Sequence, residues 1–439
     1  MKKNILFALF FFLNLLVPLG ILTLTSCSTT DPKLEPDLKL ELKDVSCTEA
    51  WLQLTTRNIQ LPATINLLNN NVLSQVYVLN TQDSLLYIDS LLPNQSYKFK
   101  VVANTTYNPQ PTTNEVLAQT MDTTSHSFTW QIFELGNPLI DPSIIYDVAI
   151  INENNIWAVG EIYMNDSLGN PDPEPYAVAH WNGSGWDLKK LKFNCRLYYP
   201  NCGPETLLVT PAYSIFARNE NDIWISAASV HHFNGTIWSE EAGILGAGDA
   251  HKIWGNANEL WFVGSAGFIA HQSSSKIWTR IESGTNSIIG DAWGVSNSGI
   301  STIYCVVSSF FEPQKDRKIL KITNGKVDSV SWKENRLLYS CWTNSNKYLY
   351  VCGSGVYNNK SGQWYQEDLP AISMNRIRGN ALNDIFLIGD FGFASHFNGV
   401  SWQIYNENFG DIWGLLFKQD IVSFVGQKNG YGYIVIGKR

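Results

Sequence analysis

One phrase recurs in the chain: "HWNGSGW" at 180–186, "HFNGTIW" at 232–238 and "HFNGVSW" at 396–402. Asn-Gly between two apolar runs is the strongest short-range signal for a tight hairpin, because both residues tolerate positive φ. The phrase is preceded by a strand of constant form, seen seven times: "NNIWAVG", "NDIWISA", "NELWFVG", "TIYCVVS", "KYLYVCG", "NDIFLIG" and "DIVSFVG". Ahead of each lies a further strand: "IYDVAI", "YSIFAR", "KIWGNA", "DAWGVS", "SCWTN", "RIRGN" and "DIWGLL". A late Trp closes six of the seven copies (Trp186, Trp238, Trp278, Trp332, Trp364 and Trp402), at spacings of 52, 40, 54, 32 and 38 residues.

A repeat of roughly 40–50 residues with four strands is the period of one propeller blade. Strands such as "IWAVG" are apolar on both faces, as a blade packed between two neighbours requires, and the late Trp fills the wedge that widens toward the rim. The seventh copy ends at "QKNGYGYIVIGKR" without its Trp strand, yet "FTWQIFEL" at 128–135 matches "VSWQIYNE" at 400–407. The expectation is that Trp130 supplies the missing outer strand and so closes the ring, which removes exposed edges. A degenerate repeat would leave six or eight blades; the closure favours seven.

Between Leu38 and about residue 123, short alternating segments such as "AWLQL", "TINLLNN" and "SQVYVLN" predict a separate β-sandwich. Its segment "LLPNQSYKFKVVA" (91–103) resembles fibronectin type III domains, which place a Leu-x-Pro turn before a Tyr that pins the sheet corner; Leu91, Pro93 and Tyr97 match. The resemblance implies a seven-stranded sandwich acting as a spacer or adhesive unit, with another seven-stranded sandwich as the alternative. It also places Trp51 as a core aromatic. Cys47 reads as a small buried thiol.

The N-terminus opens with Lys2 and Lys3 and an apolar run from Ile5 to Leu24, the pattern of a signal peptide or a membrane span. Leu24-Thr25-Ser26-Cys27 resembles the lipobox of bacterial lipoproteins. That resemblance implies cleavage after residue 26, lipid on Cys27, a tether over 27–37 and a membrane partner through acyl chains. The domains expected are therefore a signal peptide (1–26), the tether, a fibronectin-like sandwich (38–123) and a propeller (126–439). A net charge of −8 without a basic tract argues against nucleic acid as a partner.

Chemistry is sparse. His180, His232, His271 and His396 share one register of the repeat, so a structural role is expected of them, and no metal or other cofactor is predicted. Cys195 and Cys202 bracket "CRLYYPNC", a spacing suited to a local disulfide in an oxidising compartment. Cys341 and Cys352 fall on adjacent strands, where a cross-strand neighbourhood is open, and Cys305 reads as a core residue. "GYIVIGK" (432–438) fits a phosphate-loop pattern by letter only, since its spacer is a strand and no Ser or Thr follows. Carboxylates such as Asp222, Glu259 and Asp384 recur in turns, and no catalytic residue is assigned. Three insertions, 165–176, "CRLYYPNC" and 306–318, form the expected binding rim, with Tyr198, Tyr199, Phe310 and Phe311 as its aromatic contacts.

The whole resembles exported bacterial lipoproteins with a fibronectin-type spacer and a Trp-rich propeller, some of which carry a "glucosyl transferase" label; no nucleotide-sugar-binding βαβ unit supports that label here. The function expected is a monomeric, lipid-anchored binding or scaffold protein of the bacterial envelope, probing a glycan, peptide or envelope protein with its rim. The alternative is a carbohydrate-active enzyme with paired carboxylates in the channel.

Overall fold

The computed structural model describes residues 34–197, 201–203, 206–241, 244, 250–308, 316–332, 334, 336–360 and 362–439. Cys27, Tyr198, Tyr199, Phe310 and Phe311, together with the signal-peptide segment, lie outside the described residues. Every regular element of four or more described residues is a β-strand, as the alternating patterns dictate.

Two sheets open the chain. A three-stranded sheet of Asp37–Val45, Ala50–Arg57 and Asp83–Ile88 faces a four-stranded one ordered Val72–Leu79, Ala63–Asn69, Ser96–Ala103 and Val116–Gln119. Their inward residues, among them Leu40, Leu52, Leu54, Ile65, Phe99 and Val101, make one apolar core. The Tyr97 hydroxyl accepts the backbone N–H of Leu92 at 2.8 Å, pinning the turn before its strand. Trp51 is not in that core. Because side chains alternate along a strand, Ala50, Leu52 and Leu54 point inward and Trp51 points out.

Seven four-stranded antiparallel sheets follow, each ordered first to fourth strand along the chain except the last. Their first strands are Ile144–Asn152, Ala212–Asn219, Ala250–Gly255, Ile289–Asn297, Leu338–Trp342, Met374–Ala381 and Asp411–Lys418. Each first strand lies against the next one, and the seventh lies against the first, so the seven enclose a common axis. The fourth strand of the seventh sheet is Thr129–Leu135, antiparallel to Tyr431–Lys438, with Trp130 opposite Gly437. A Cβ on Gly437 would collide with the Trp130 indole, so glycine is what lets the ring pack there.

The late Trp residues bind each sheet to the one before it. Trp238 meets Trp157 of sheet one, with ring centroids 6.1 Å apart. Trp278 meets Trp224 of sheet two (5.9 Å), Trp130 meets Phe386 of sheet six (6.4 Å) and Trp186 meets Phe133 of sheet seven (5.6 Å). Trp402 packs in the cluster that joins sheets five and six. Trp332 departs from this pattern: it lies beyond its sheet's last strand, Lys326–Val330, and stacks edge-on against Trp364 of sheet five at 4.9 Å.

Antiparallel neighbours reverse direction, so the connections after second and fourth strands emerge on one face of the ring and those after first and third on the other. The described insertion 165–176 follows a second strand, and the hairpin Leu191–Asn194/Leu207–Thr210 follows a fourth, so the first face is here called the insertion face. The sandwich sits on the opposite, turn face against sheets five and six. Trp51 stacks near Tyr348 at 6.2 Å, Lys360 pairs with Glu49, and Asn383 Nδ2 donates to the Asp122 carbonyl at 2.7 Å. Cys47 lies in this seam with its Sγ 3.2 Å from the Asp122 carbonyl; burial, with Asp122 and Glu49 nearby, pushes its thiol up to about 11.

Candidate functional site

In all seven sheets the first strand carries a bulge at the same place: one residue is skipped in the pairing with the second strand. The skipped residues are Tyr146, Tyr213, His251, Gly290, Tyr339, Asn375 and Trp413. A bulge twists the strand and re-aims a side chain; repeated around the ring, it brings six side chains and Gly290 toward the mouth on the insertion face. His251, Tyr339, Asn375, Arg376, Asp390 and Trp413 line a cavity of about 430 Å³ there. Tyr146 and Tyr213 approach one another at 5.5 Å beside it. The Tyr146 hydroxyl donates to Glu161 Oε1 at 2.5 Å, and Asn375 Nδ2 donates to Asp390 Oδ1 at 3.2 Å, so several rim side chains are held by partners. Next to Asp390, Phe391 is 84% exposed at φ +60°. The same left-handed turn follows the second strand of sheet three, where Ala266 takes φ +51°, so the backbone here is a feature of the repeat.

The residue after each bulge points at the axis: Asp147, Ser214, Lys252, Asp291, Ser340, Arg376 and Gly414 in ring order. These side chains close the channel with two bonded clusters. Asp147 accepts from Ser214 Oγ at 2.9 Å, Ile215 N at 3.1 Å and Lys252 Nζ at 2.6 Å. Asp291 accepts from Ser340 Oγ at 2.6 Å, Cys341 N at 3.1 Å and Arg378 Nη2 at 2.8 Å, and pairs with Arg376 at 3.0 Å. One device is thus built twice: a carboxylate on one sheet, a Ser and backbone N–H on the next, and a cation from the sheet after that. Burial would raise both carboxyls, but Lys252 and Arg376 hold Asp147 low, and Arg378 and Arg376 hold Asp291 low. Burial, only partly opposed by Asp147, draws Lys252 down to about 8.

No protein-family model matches the sequence, and no curated protein matches it. Solved structures do. YCF48 "bound to D1 peptide" aligns with a TM-score of 0.50 at 14% identity, over 72% of this chain and 97% of that one. The fold is a β-propeller. BamB from Moraxella catarrhalis aligns at a TM-score of 0.41 and 8% identity, over 71% of this chain and 100% of that one. An auxiliary nutrient binding protein from Bacteroides thetaiotaomicron aligns at 0.35 and 10% identity, over 92% and 98%.

Around the propeller the four repeated His residues are structural. His180, His232 and His271 each stack on the Trp of the neighbouring strand, with centroids 4.0, 4.2 and 4.1 Å apart. Each also meets the polar residue that opens that strand, Asn155, Asp222 or Glu259, at 2.9–3.0 Å. His396 does the same with Phe386 and Asp384. The recurrent turn acids thus clamp imidazoles, a role more specific than turn chemistry alone. Among the described residues no group of three or more His, Cys, Asp or Glu is placed to hold a metal ion.

Cys195 and Cys202 are joined at the tip of the hairpin Leu191–Asn194/Leu207–Thr210, with Cα atoms 6.0 Å apart. Cys341 and Cys352 are not neighbours in the same layer: Cys341 lies opposite Val351 and Cys352 opposite Ser340, so their thiols face different cores. Cys305 is buried in the core. The aligned pairs at the mouth, Tyr-Asp, Tyr-Ser, His-Lys, Gly-Asp, Tyr-Ser, Asn-Arg and Trp-Gly, escaped the sequence reading. Their signal was a polar column interrupting otherwise apolar strands.

Proposed function

We propose that the chain is an exported, lipid-anchored binding and scaffold protein: a seven-bladed propeller on a fibronectin type III-like stalk, gripping an extended segment of a partner protein at its insertion-face mouth. The observation that carries this reading is the ring of bulged Tyr, His, Asn and Trp side chains opening on the insertion face. Aromatic and polar groups around a concavity are what a recognition site needs. The neighbour solved with a peptide lends the idea by fold alone. The anchor fits the same picture. Cys47 and Glu49 touch the propeller, and the strand Asp37–Val45 leads away from them for roughly 30 Å at about 3.3 Å per residue. Lipid on Cys27 therefore holds the insertion face outward, away from the envelope.

The test is a peptide array and a glycan array probed with the ectodomain from residue 34, alongside Tyr213→Ala and Tyr339→Ala. Peptide binding that falls at least tenfold in these variants supports the reading. Glycan-only binding replaces the protein partner with a sugar, and equal binding by the variants removes the mouth from the mechanism. Mass spectrometry of the exported protein against Cys27→Ser reads the lipid; the same spectra with and without reductant read a Cys195–Cys202 bridge.

Acid–base glycosyl chemistry in the channel is disfavoured by a specific observation. The two axial carboxylates are spent on Lys252, Arg376 and Arg378, leaving neither one to act as acid or nucleophile.

A further inference from the structure

The other end of the axial channel opens on the turn face into a cavity of about 270 Å³. It is separated from the mouth by the bonded plug and has a different chemistry. Phe216, Trp254 and Trp293 form aromatic walls, and Lys252, Arg378 and Lys418 stand among them. The lining holds three cations and no carboxylate. Behind it, Asp147 and Asp291 serve Lys252, Arg376 and Arg378, so four cations around the axis face two acids.

Lys418 carries the surplus. Its Nζ donates to the carbonyls of Ile150 and Ile151 at 3.1 Å each. Carbonyl dipoles satisfy hydrogen bonds but do not neutralise a charge, and burial with no acid beside it pulls the Lys418 pKa down. Arg378 adds a second sign of an incomplete site: its guanidinium lies over the Trp293 ring at 4.5 Å, and its buried Nε has no hydrogen-bond partner. Desolvated cations short of counter-charge are costly unless an anion completes them.

We infer that this cavity binds a small aromatic carboxylate, its ring between the indole and phenyl walls and its charge at Lys418. The volume falls just under the ~300 Å³ at which sites for drug-sized molecules begin, which limits the ligand to about one ring with its acid group. The site is independent of the insertion-face mouth and stands whether or not that mouth binds a protein.

The experiment titrates the full ectodomain with benzoate and with its neutral isostere benzamide, reading intrinsic fluorescence, since Trp254 and Trp293 line the cavity. Saturable quenching by benzoate is expected, with benzamide about tenfold weaker because it lacks the charge-assisted contact. Lys418→Gln should weaken benzoate by a similar factor while its melting temperature confirms a folded chain. Equal affinity for the two compounds, or no saturable change with either, overturns the inference on the unaltered protein alone. Unchanged benzoate binding in a folded Lys418→Gln variant overturns the role given to that lysine.

Discussion

The outer hairpins and the inner strands of the propeller both repeat once per sheet, but they repeat differently. At the rim of the first three sheets the residue type is kept: His on Trp, a polar clamp beneath, and a Trp wedged against the preceding sheet. At the axis the position is kept while the residue type changes, running Asp, Ser, Lys, Asp, Ser, Arg and Gly. The difference follows from geometry. Equivalent rim positions never meet, so each solves the same local packing problem in the same way. Equivalent axial positions converge, and seven identical charges could not share that space.

The largest effect is expected at the axis. Asp291→Ala leaves Arg378, only 1% exposed, and Arg376 without their counter-ion; breaking a buried pair from one side costs about 3–5 kcal/mol. Urea unfolding reads the loss. Lys252→Met should cost a similar amount by stranding Asp147, and Asp147→Leu in the same chain should recover part of it, since replacing both charges by apolar groups is often neutral. A double variant as unstable as the sum of the singles would show that the axial groups are not coupled.

At the rim the effect should be smaller and uniform. Trp238→Ala and Trp278→Ala each remove a wedge against the preceding sheet, for roughly 2–3 kcal/mol, below a fully buried Trp because one edge of each is in water. The two values should agree within about 1 kcal/mol, since the local geometry is shared. Unequal losses would break the contrast between a rim of equivalent sites and an axis of unique ones.

The same contrast explains what the sequence could disclose. The rim was legible because recurrence of "NG" and Trp at one spacing is a signal within a single chain, and the match between "FTWQIFEL" and "VSWQIYNE" located the closing strand. The axial cluster was not legible, because it is assembled from residues as far apart as Asp291 and Arg378, each in a strand that looks ordinary alone. Trp51 misled for a related reason: period-two alternation shows that neighbours point to opposite faces, but not that the outward face is covered by a second domain. Trp332 stands where the repeat places its closing Trp, but the fourth strand ends at Val330 and leaves the indole against Trp364 of sheet five.

Ring closure sharpens the comparison at the point where rim and chain ends meet. Gly437→Val drives a branched side chain into the Trp130 indole, at a cost of about 1–3 kcal/mol for overpacking. Trp130→Ala in the same chain frees that space, so the double variant should be less unstable than the two single losses added. Strict additivity would mean that the two residues do not meet and that the closing strand pairs elsewhere.

The smallest effect concerns pH at the same junction. His126 Nδ1 lies 2.9 Å from His396 Nδ1, and His396 Nε2 is held by Asp384 Oδ1 at 2.9 Å, with Arg439 on that carboxylate. Burial, then the facing His396, lowers the His126 pKa below its ordinary 6.5. Burial lowers His396 as well, outweighing the Asp384 contact that favours its proton. The unfolded chain therefore binds more protons than the folded one just below pH 6.5, and stability falls as pH drops through that value. The clamp acids Glu259 and Asp384, both held near 2, add a loss of the same sign only as pH approaches their ordinary 4.5 and 3.8. Melting temperature measured between pH 7.5 and 5 thus isolates the imidazoles, and His126→Phe should flatten the decline in that interval. A slope unchanged by that substitution would take His126 out of the acid sensitivity and leave it with His396.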